Sequence, residues 1–299
     1  MPRNIPKTFA RPESLADVER LLAASDAQSL IYLAGGTDLV VDINERRLPP
    51  CDILVYLDRI PELKGLSLEG DRLIVGSGVS HARLAASPEV RAVFPVLAQA
   101  AEGVGSPPIR VMGTVGGNLA RASAAGDVAT AVLSLNAEIH TLGRNGRRVI
   151  HGRDFHVASR RTLLEPGELI THLSIPVPPG PCGSAFEKLG SRKTMFIASV
   201  SCAALLRLDA ATGAIAEARL TLGSIAPTPV RAPAAEALLA GRQPEEAAFR
   251  EAAEAVQAQV RPRTSHRGTS QYRNAMAGAL TVRCLRRALE NARNKEVEA

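Results

Sequence analysis

The segment Leu33-Ala34-Gly35-Gly36-Thr37-Asp38-Leu39 constrains the local fold more than any other stretch of this chain. The apolar run Leu30-Ile31-Tyr32-Leu33 reads as a strand that delivers the backbone to two adjacent glycines. Leu39, Val40 and Ile43 follow at helical spacing, with Thr37 or Asp38 placed to cap the start. Strand, glycine turn and helix start together make an anion site. Glycine lets the backbone approach a ligand closely, and the first N–H groups of a helix have no partner inside it. An ordinary connection without a ligand has the same local sequence, so the turn gains meaning only if the chain supplies a second half.

A second glycine-rich turn, Gly113-Thr114-Val115-Gly116-Gly117-Asn118, stands about 80 residues further on. The small-residue run Leu119 to Gly126 follows it, then a helix opening at Asp127. Asp127 occupies the expected N-cap ahead of Val128, Ala131, Val132 and Leu135. Between the two turns, Gly76-x-Gly78 follows a strand and resembles a dinucleotide fingerprint, but His81 holds the place of the third glycine.

The rest of the chain has clear punctuation. Ser14 and Asp17 form a capping-box pair ahead of the stripe Leu15, Val18, Leu21 and Leu22. Ile53 to Leu57 is a buried-strand candidate after Pro49-Pro50 closes the preceding helix. Gly65–Leu68 and Arg72–Gly76 read as paired strands, Val90 to Gly103 as a helix, and Val104 to Met112 as a loop too rich in Pro and Gly for regular structure. Ile139–Leu142 and Arg148–Ile150 make a hairpin across Gly143 to Gly146, and Leu169–Ile175 alternates as a strand. Pro176-Val177-Pro178-Pro179-Gly180-Pro181 is the strongest domain boundary. Three strands in an antiparallel meander (183–189, 199–208, 216–223) and helices over 232–239, 244–260 and 271 to about 294 are expected beyond it.

Composition excludes several functions. The net charge is +6, but aromatic residues make up 3% with no Trp, which leaves few stacking platforms for nucleic acid. No apolar run reaches the length of a membrane span, and no apolar segment follows the basic residues of Met1–Lys7, so a cytoplasmic protein is expected. The four cysteines, at 51, 182, 202 and 284, lack metal-ligand spacing and read as buried thiols. The six histidines show no nucleophile–base grouping; His151 and His156 read as exposed, and His81 as solvated or structural.

The paired turns with Asp127 resemble the FAD-binding, or medium, subunit of the molybdenum hydroxylases, the xanthine dehydrogenase and carbon monoxide dehydrogenase family. The resemblance spans nearly the whole chain, through Phe9-x-x-Pro12-x-Ser14-Leu15, Leu57-x-x-Ile60-Pro61-Glu62-Leu63 and Pro166-Gly167-Glu168-Leu169-Ile170. Further matches are Ala226-Pro227-Thr228-Pro229-Val230-Arg231-Ala232 and Arg267 to Arg273. It implies an α+β chain: a two-subdomain FAD-binding fold of the PCMH (vanillyl-alcohol-oxidase-like) type over 1–178, with subdomains about 1–58 and 59–178. A smaller domain with a three-stranded antiparallel sheet and helices over 179–292 would follow, then a tail, 293–299.

The resemblance also implies roles. Leu33, Ala34, Gly35, Gly36, Thr37, Asp38 and Leu39 would wrap one side of the FAD pyrophosphate, with the Asp38 carboxylate turned away. Thr114, Val115, Gly116, Gly117 and Asn118 would wrap the other, so that backbone donors surround the diphosphate as a nest. Asp127 would accept from ribityl or ribose hydroxyls, Val104 and Ile170 would lie beside the flavin, and Lys188 would be a cation near it, although a surface lysine is an equal reading. Relatives place an Asp–aromatic pair after the basic residues of the next loop; Ser191-Arg192-Lys193-Thr194-Met195-Phe196-Ile197 lacks the Asp, and Phe196 or Met195 takes the place of the aromatic.

The implied task is electron relay. A molybdopterin-binding large subunit and a small subunit with [2Fe-2S] clusters are expected as partners, in a dimer of heterotrimers, with NAD, oxygen or a quinone as small-molecule acceptor. The rival readings are a stand-alone FAD oxidase and a flavin-free assembly subunit of the same fold.

Overall fold

In the computed structural model the described residues are 6–25, 30–47, 51–192 and 195–298. Pro49-Pro50, Lys193, Thr194 and the first five residues lie outside them.

The chain begins with β1 (Thr8–Ala10), α1 (Leu15–Ala24), β2 (Leu30–Leu33), α2 (Leu39–Asn44) and β3 (Ile53–Tyr56). The strands form a parallel sheet in the order β1-β3-β2. Ser14 caps α1 with its side chain, and Asp17 returns the bond to the Ser14 backbone, the reciprocal box expected from sequence. Val18 and Leu22 of α1 pack against Leu30 and Val55, and this small core continues into Ile60 and Leu63 of a single 3₁₀ turn, Pro61–Lys64.

The second subdomain is a five-stranded antiparallel sheet in the order β4-β5-β10-β6-β7, built from Leu66–Glu69, Arg72–Gly76, Leu169–Pro176, Glu138–Gly143 and Gly146–His151. Between β5 and β6 the chain runs through six helices: α3 (His81–Ala86), α4 (Pro88–Val93), α5 (Pro95–Glu102), α6 (Pro107–Met112), α7 (Val115–Arg121) and α8 (Asp127–Ser134). Two sequence expectations fail here. The helix over 90–103 is two helices, because Pro95 lacks the N–H that would continue α4 and instead starts α5 at its first turn. The stretch 104–112 is not all loop: Pro107-Pro108 occupies the first turn of α6, where a missing N–H costs nothing. A short helix, α9 (Gly152–Phe155), and the strand pair β8 (His156–Ala158) and β9 (Arg161–Thr162) lead back into β10.

Beyond the proline-rich break, β11 (Cys182–Leu189), β12 (Val200–Leu208) and β13 (Ile215–Gly223) make the expected meander. A two-residue fourth strand, β14 (Val230–Arg231), extends it. Three helices cover it: α10 (Pro233–Leu239), α11 (Glu246–Gln259) and α12 (Ser270–Glu298), so the expected tail from 293 is helix as far as Glu298. One face of this sheet, with Cys202, Ala204, Leu206, Leu220 and Leu222, packs against those helices. Cys182, Phe186, Ala203 and Leu205 instead join the core of the preceding subdomain with α5 and α8. The sheet is therefore a shared wall, with β11 packed against α5 and with β12 and β13 packed against α8. That placement positions Lys188.

Candidate functional site

A cavity of about 400 Å³ opens between the two N-terminal subdomains. Tyr32, Ala34, Gly35 and Tyr56 line one side; Ser77 to Ser80, Thr114, Gly116, Gly117, Ala120 and Ile170 line the other. The two glycine turns thus face one cleft. Gly36, Thr37, Asp38 and Leu39 continue from its wall into the start of α2.

The first turn has an open backbone. Among the described residues, the N–H groups of Gly35, Gly36, Thr37, Asp38 and Leu39 donate to no acceptor in the chain. Gly36 sits at φ +72°, a conformation that costs a side-chain-bearing residue energy. Asp38 is the N-cap by position but makes no side-chain capping bond. Its Oδ1 instead lies 3.3 Å from Arg121 Nε.

The second turn differs from the expected open nest. Thr114 is the N-cap of α7, and Gly116 and Gly117 lie inside its first helical turn. Val115 N–H donates to Val79 O at 2.9 Å, Gly116 N–H to Ser77 O at 2.8 Å, and Gly117 N–H to Thr114 Oγ1 at 3.1 Å. Asn118 N–H donates to Thr114 O at 3.0 Å, and its side-chain oxygen accepts from Ala129 N–H at 3.2 Å. These four donors are spent on fixing the turn, so the expected open nest is reduced here to the Thr114 N–H, which among the described residues has no acceptor. The second turn offers closeness instead: a Cβ on Gly116 would meet Ser77 Cβ at 2.6 Å, so the helix start seats directly on the strand exit after β5.

Asp127, Lys188 and Val104 form a separate cluster that does not line the cavity. Asp127 is not the N-cap of α8; Gly126 is, and Asp127 takes the first helical position without a capping bond. Its Oδ2 accepts from Lys188 Nζ at 2.6 Å, and Lys188 also donates to Gly103 O at 2.8 Å. Lys188 is therefore no surface lysine: its side chain is 9% exposed. Its ammonium also lies 4.7 Å from the centre of the Phe196 ring. Asp127 Oδ1 is buried and, among the described residues, has no donor. Burial pushes the Asp127 carboxyl up to about 6, against the opposing pull of Lys188. An acceptor oxygen left without a donor in a buried site suits a ligand hydroxyl. Val104 packs at the edge of the central core, and its carbonyl accepts from Arg110 of α6 at 3.0 Å, which ties this cluster to the cavity wall at Met112.

Ile170 is buried in the core and lines the cavity, at a register shift of β10 against β6 between residues 170 and 172. Leu33 packs beneath the first turn, where its Cδ1 would lie 3.2 Å from a Cβ on Gly36. Several cavity residues carried no sequence signal as site residues. Tyr32 donates to Gly167 O at 2.7 Å, and burial with the Glu168 carboxylate pushes its phenol upward. Lys64 and Arg83 come from the 3₁₀ turn and α3, and nothing in their spacing marks them. His81 is buried, not solvated; burial and the Arg110 charge bring it down to about 4, so it stays a neutral ring packed under Gly113. His156 is half-buried and its Nε2 lies 3.1 Å from Leu119 O, while His151 is exposed as expected.

Comparison with known proteins places these features in context. The family described as the FAD binding domain in molybdopterin dehydrogenase matches residues 5–178, and the CO dehydrogenase flavoprotein C-terminal domain matches residues 184–288. The chain is 34% identical to the carbon monoxide dehydrogenase medium chain of Afipia carboxidovorans over 96% of its own length and 98% of that protein. It is 30% identical to the xanthine dehydrogenase FAD-binding subunit of Escherichia coli O157:H7, again over 96% and 98%. Among solved structures, a carbon monoxide dehydrogenase chain from Hydrogenophaga pseudoflava superposes with a TM-score of 0.89 at 33% identity, covering 96% of this chain and 98% of that one.

Proposed function

The chain belongs to the FAD-binding medium-subunit family of the molybdenum hydroxylases, and from that premise we infer that it is the flavin-carrying electron-transfer subunit of a heteromeric oxidoreductase. It receives electrons from iron–sulfur clusters of a partner and passes them to an acceptor. Its partners are a molybdopterin-binding large subunit and an iron–sulfur small subunit, since its relatives are the medium chain and the FAD-binding subunit of larger enzymes. We further propose a dimer of heterotrimers as the assembly, and NAD, oxygen or a quinone as the acceptor. Among the described residues no helix is long and apolar enough to cross a membrane.

The observation that carries the cofactor site is the row of five backbone N–H groups at Gly35 to Leu39 without an acceptor, beside a cleft closed on its far side by Gly116 and Gly117. In this reading the diphosphate of FAD lies along residues 33 to 39, and the tightly seated second turn lets it approach from the other side without a side chain between. Asp127 Oδ1 takes a ribityl or ribose hydroxyl, and Lys188 fixes that carboxylate in place while presenting its cation near the ring. Val104 and Ile170 supply apolar contact. When bound, FAD supplies the redox chemistry; the chain contributes binding, orientation and charge.

The test is direct. The purified chain, or its complex, should carry one FAD per copy, and the FAD-free chain should quench the fluorescence of added FAD at a one-to-one end point. A folded chain that is colourless and gives no quench overturns the reading.

A further inference from the structure

The two turns are joined by one side chain. Arg121, the last residue of α7, donates from Nη1 to Asp42 Oδ2 and reaches Asp42 Oδ1 from Nη2 at 3.4 Å. Asp42 lies in α2, across the subdomain boundary, and its side chain is 10% exposed. A second guanidinium, that of Arg47, lies 3.0 Å from the same carboxylate. Asp42 is thus a fixed anchor, with two cations and little access to water. The remaining edge of Arg121 faces Asp38, at 3.3 Å from Nε to Oδ1, and Asp38 is 61% exposed. One guanidinium therefore spans a buried carboxylate and an exposed one, which its planar fork of donors permits and a lysine ammonium does not.

Asp38 is the awkward residue of the first turn. It lies within the row of open N–H groups, where a carboxylate repels the anion those groups suit. We propose that Arg121, anchored by Asp42, is the positioning residue that draws the Asp38 carboxylate aside and cancels its charge at the diphosphate site. The inference rests on the FAD reading above. It gives Asp42 a task that core packing does not need, and it gives α7 a reason to end beside α2. The same arrangement makes the cleft asymmetric: backbone donors on one rim, and behind them a cation already committed to carboxylates.

The experiment is a double-mutant cycle on the full-length FAD-free chain, read as the FAD dissociation constant by fluorescence quenching, with circular dichroism to confirm folding. Arg121→Gln should weaken FAD binding about tenfold, the scale of one partly screened charge contact. Adding Asp38→Asn to that variant should restore most of the loss, because the unpaired carboxylate is then gone. Asp38→Asn alone should change the constant by less than about threefold. A purely structural Arg121 would give a loss that Asp38→Asn does not repair, and that result overturns the inference, as does an Arg121→Gln variant with unchanged affinity. If Arg121→Gln fails to fold, Arg121→Lys carries the test. It keeps the charge without spanning both carboxylates, so affinity should fall by a few-fold and recover on Asp38→Asn; no fall, or no recovery, overturns the proposal. A wild-type chain that binds no FAD sinks the cofactor reading itself, a different outcome from either.

Discussion

Lys188 Nζ lies 2.6 Å from Asp127 Oδ2, and both side chains are less than a tenth exposed. The pair bridges α8 of the FAD-binding region and β11 of the C-terminal sheet. Removing one member of a buried pair leaves the other charge without compensation, which costs more than the pair contributes against an apolar replacement. Lys188→Met should therefore destabilise the chain by about 3 kcal/mol in urea unfolding. Asp127→Asn in the same chain should return most of that. A single-variant loss under about 1 kcal/mol would mean that water reaches the pair.

Asp127 also sets a pH dependence. Its carboxyl is raised from 3.8 to about 6, burial first and Lys188 opposing. A group that holds its proton more tightly when folded stabilises fully below its unfolded pKa, and that contribution is lost as pH rises through the folded value. The FAD-free wild type should thus lose stability relative to Asp127→Asn between about pH 4 and pH 6, by on the order of 2 kcal/mol. Melting scans of both chains at steps across that window check it. A ligand hydroxyl donating to Oδ1 favours the ionised form, so saturating FAD should flatten the difference.

A second titration runs the other way. His140 and His172 stack with ring centres 4.2 Å apart at 14°, on neighbouring strands β6 and β10. Burial lowers both; His140 also feels Glu138 raising it and Arg72 lowering it, and His172 feels His140 and Arg147 lowering it and Glu69 raising it. Their contribution is present above the unfolded value near 6.5 and is lost as pH falls through it towards the folded values. His172→Gln should therefore melt with a smaller drop between pH 7 and pH 5 than wild type. An equal drop would place the acid sensitivity elsewhere.

The sequence made local features legible and left cross-chain ones hidden. The capping box at Ser14, the hairpin of β6 and β7 and the meander of β11 to β13 are written in neighbouring residues, so periodicity and turn chemistry reveal them. The helix start at Thr114 was masked by its own glycines, which read as a turn although Thr114 caps Gly117. Likewise Pro107-Pro108 reads as a breaker unless it is seen that both stand in a first helical turn. The Arg121–Asp42 contact joins residues 79 apart, and Lys188–Asp127 joins residues 61 apart, so neither has a local pattern. Lys188 reads as surface or site from sequence alone; only the packing of β11 against α5, with α8 on the neighbouring strands, decides that it is buried.

Gly117 separates the needs of the fold from those of the ligand. It lies in α7 with an ordinary helical backbone, lines the cavity, and a Cβ there would meet only Thr114 Oγ1, at 3.1 Å. Alanine is favoured over glycine inside a helix by up to about 1 kcal/mol. The slight crowding of the Thr114 hydroxyl offsets part of that, so Gly117→Ala should leave thermal stability unchanged or slightly raised. Its methyl group would nevertheless stand where a diphosphate approaches, and FAD affinity should fall more than tenfold. Gly36→Ala should behave differently, since φ +72° strains any side chain and the new Cβ would press on Leu33 and Val40 at 3.2 Å. That variant should lose about 1 kcal/mol of stability together with affinity. If Gly117→Ala binds FAD as the wild type does, the second turn is a structural helix start only, and the diphosphate is held from one side.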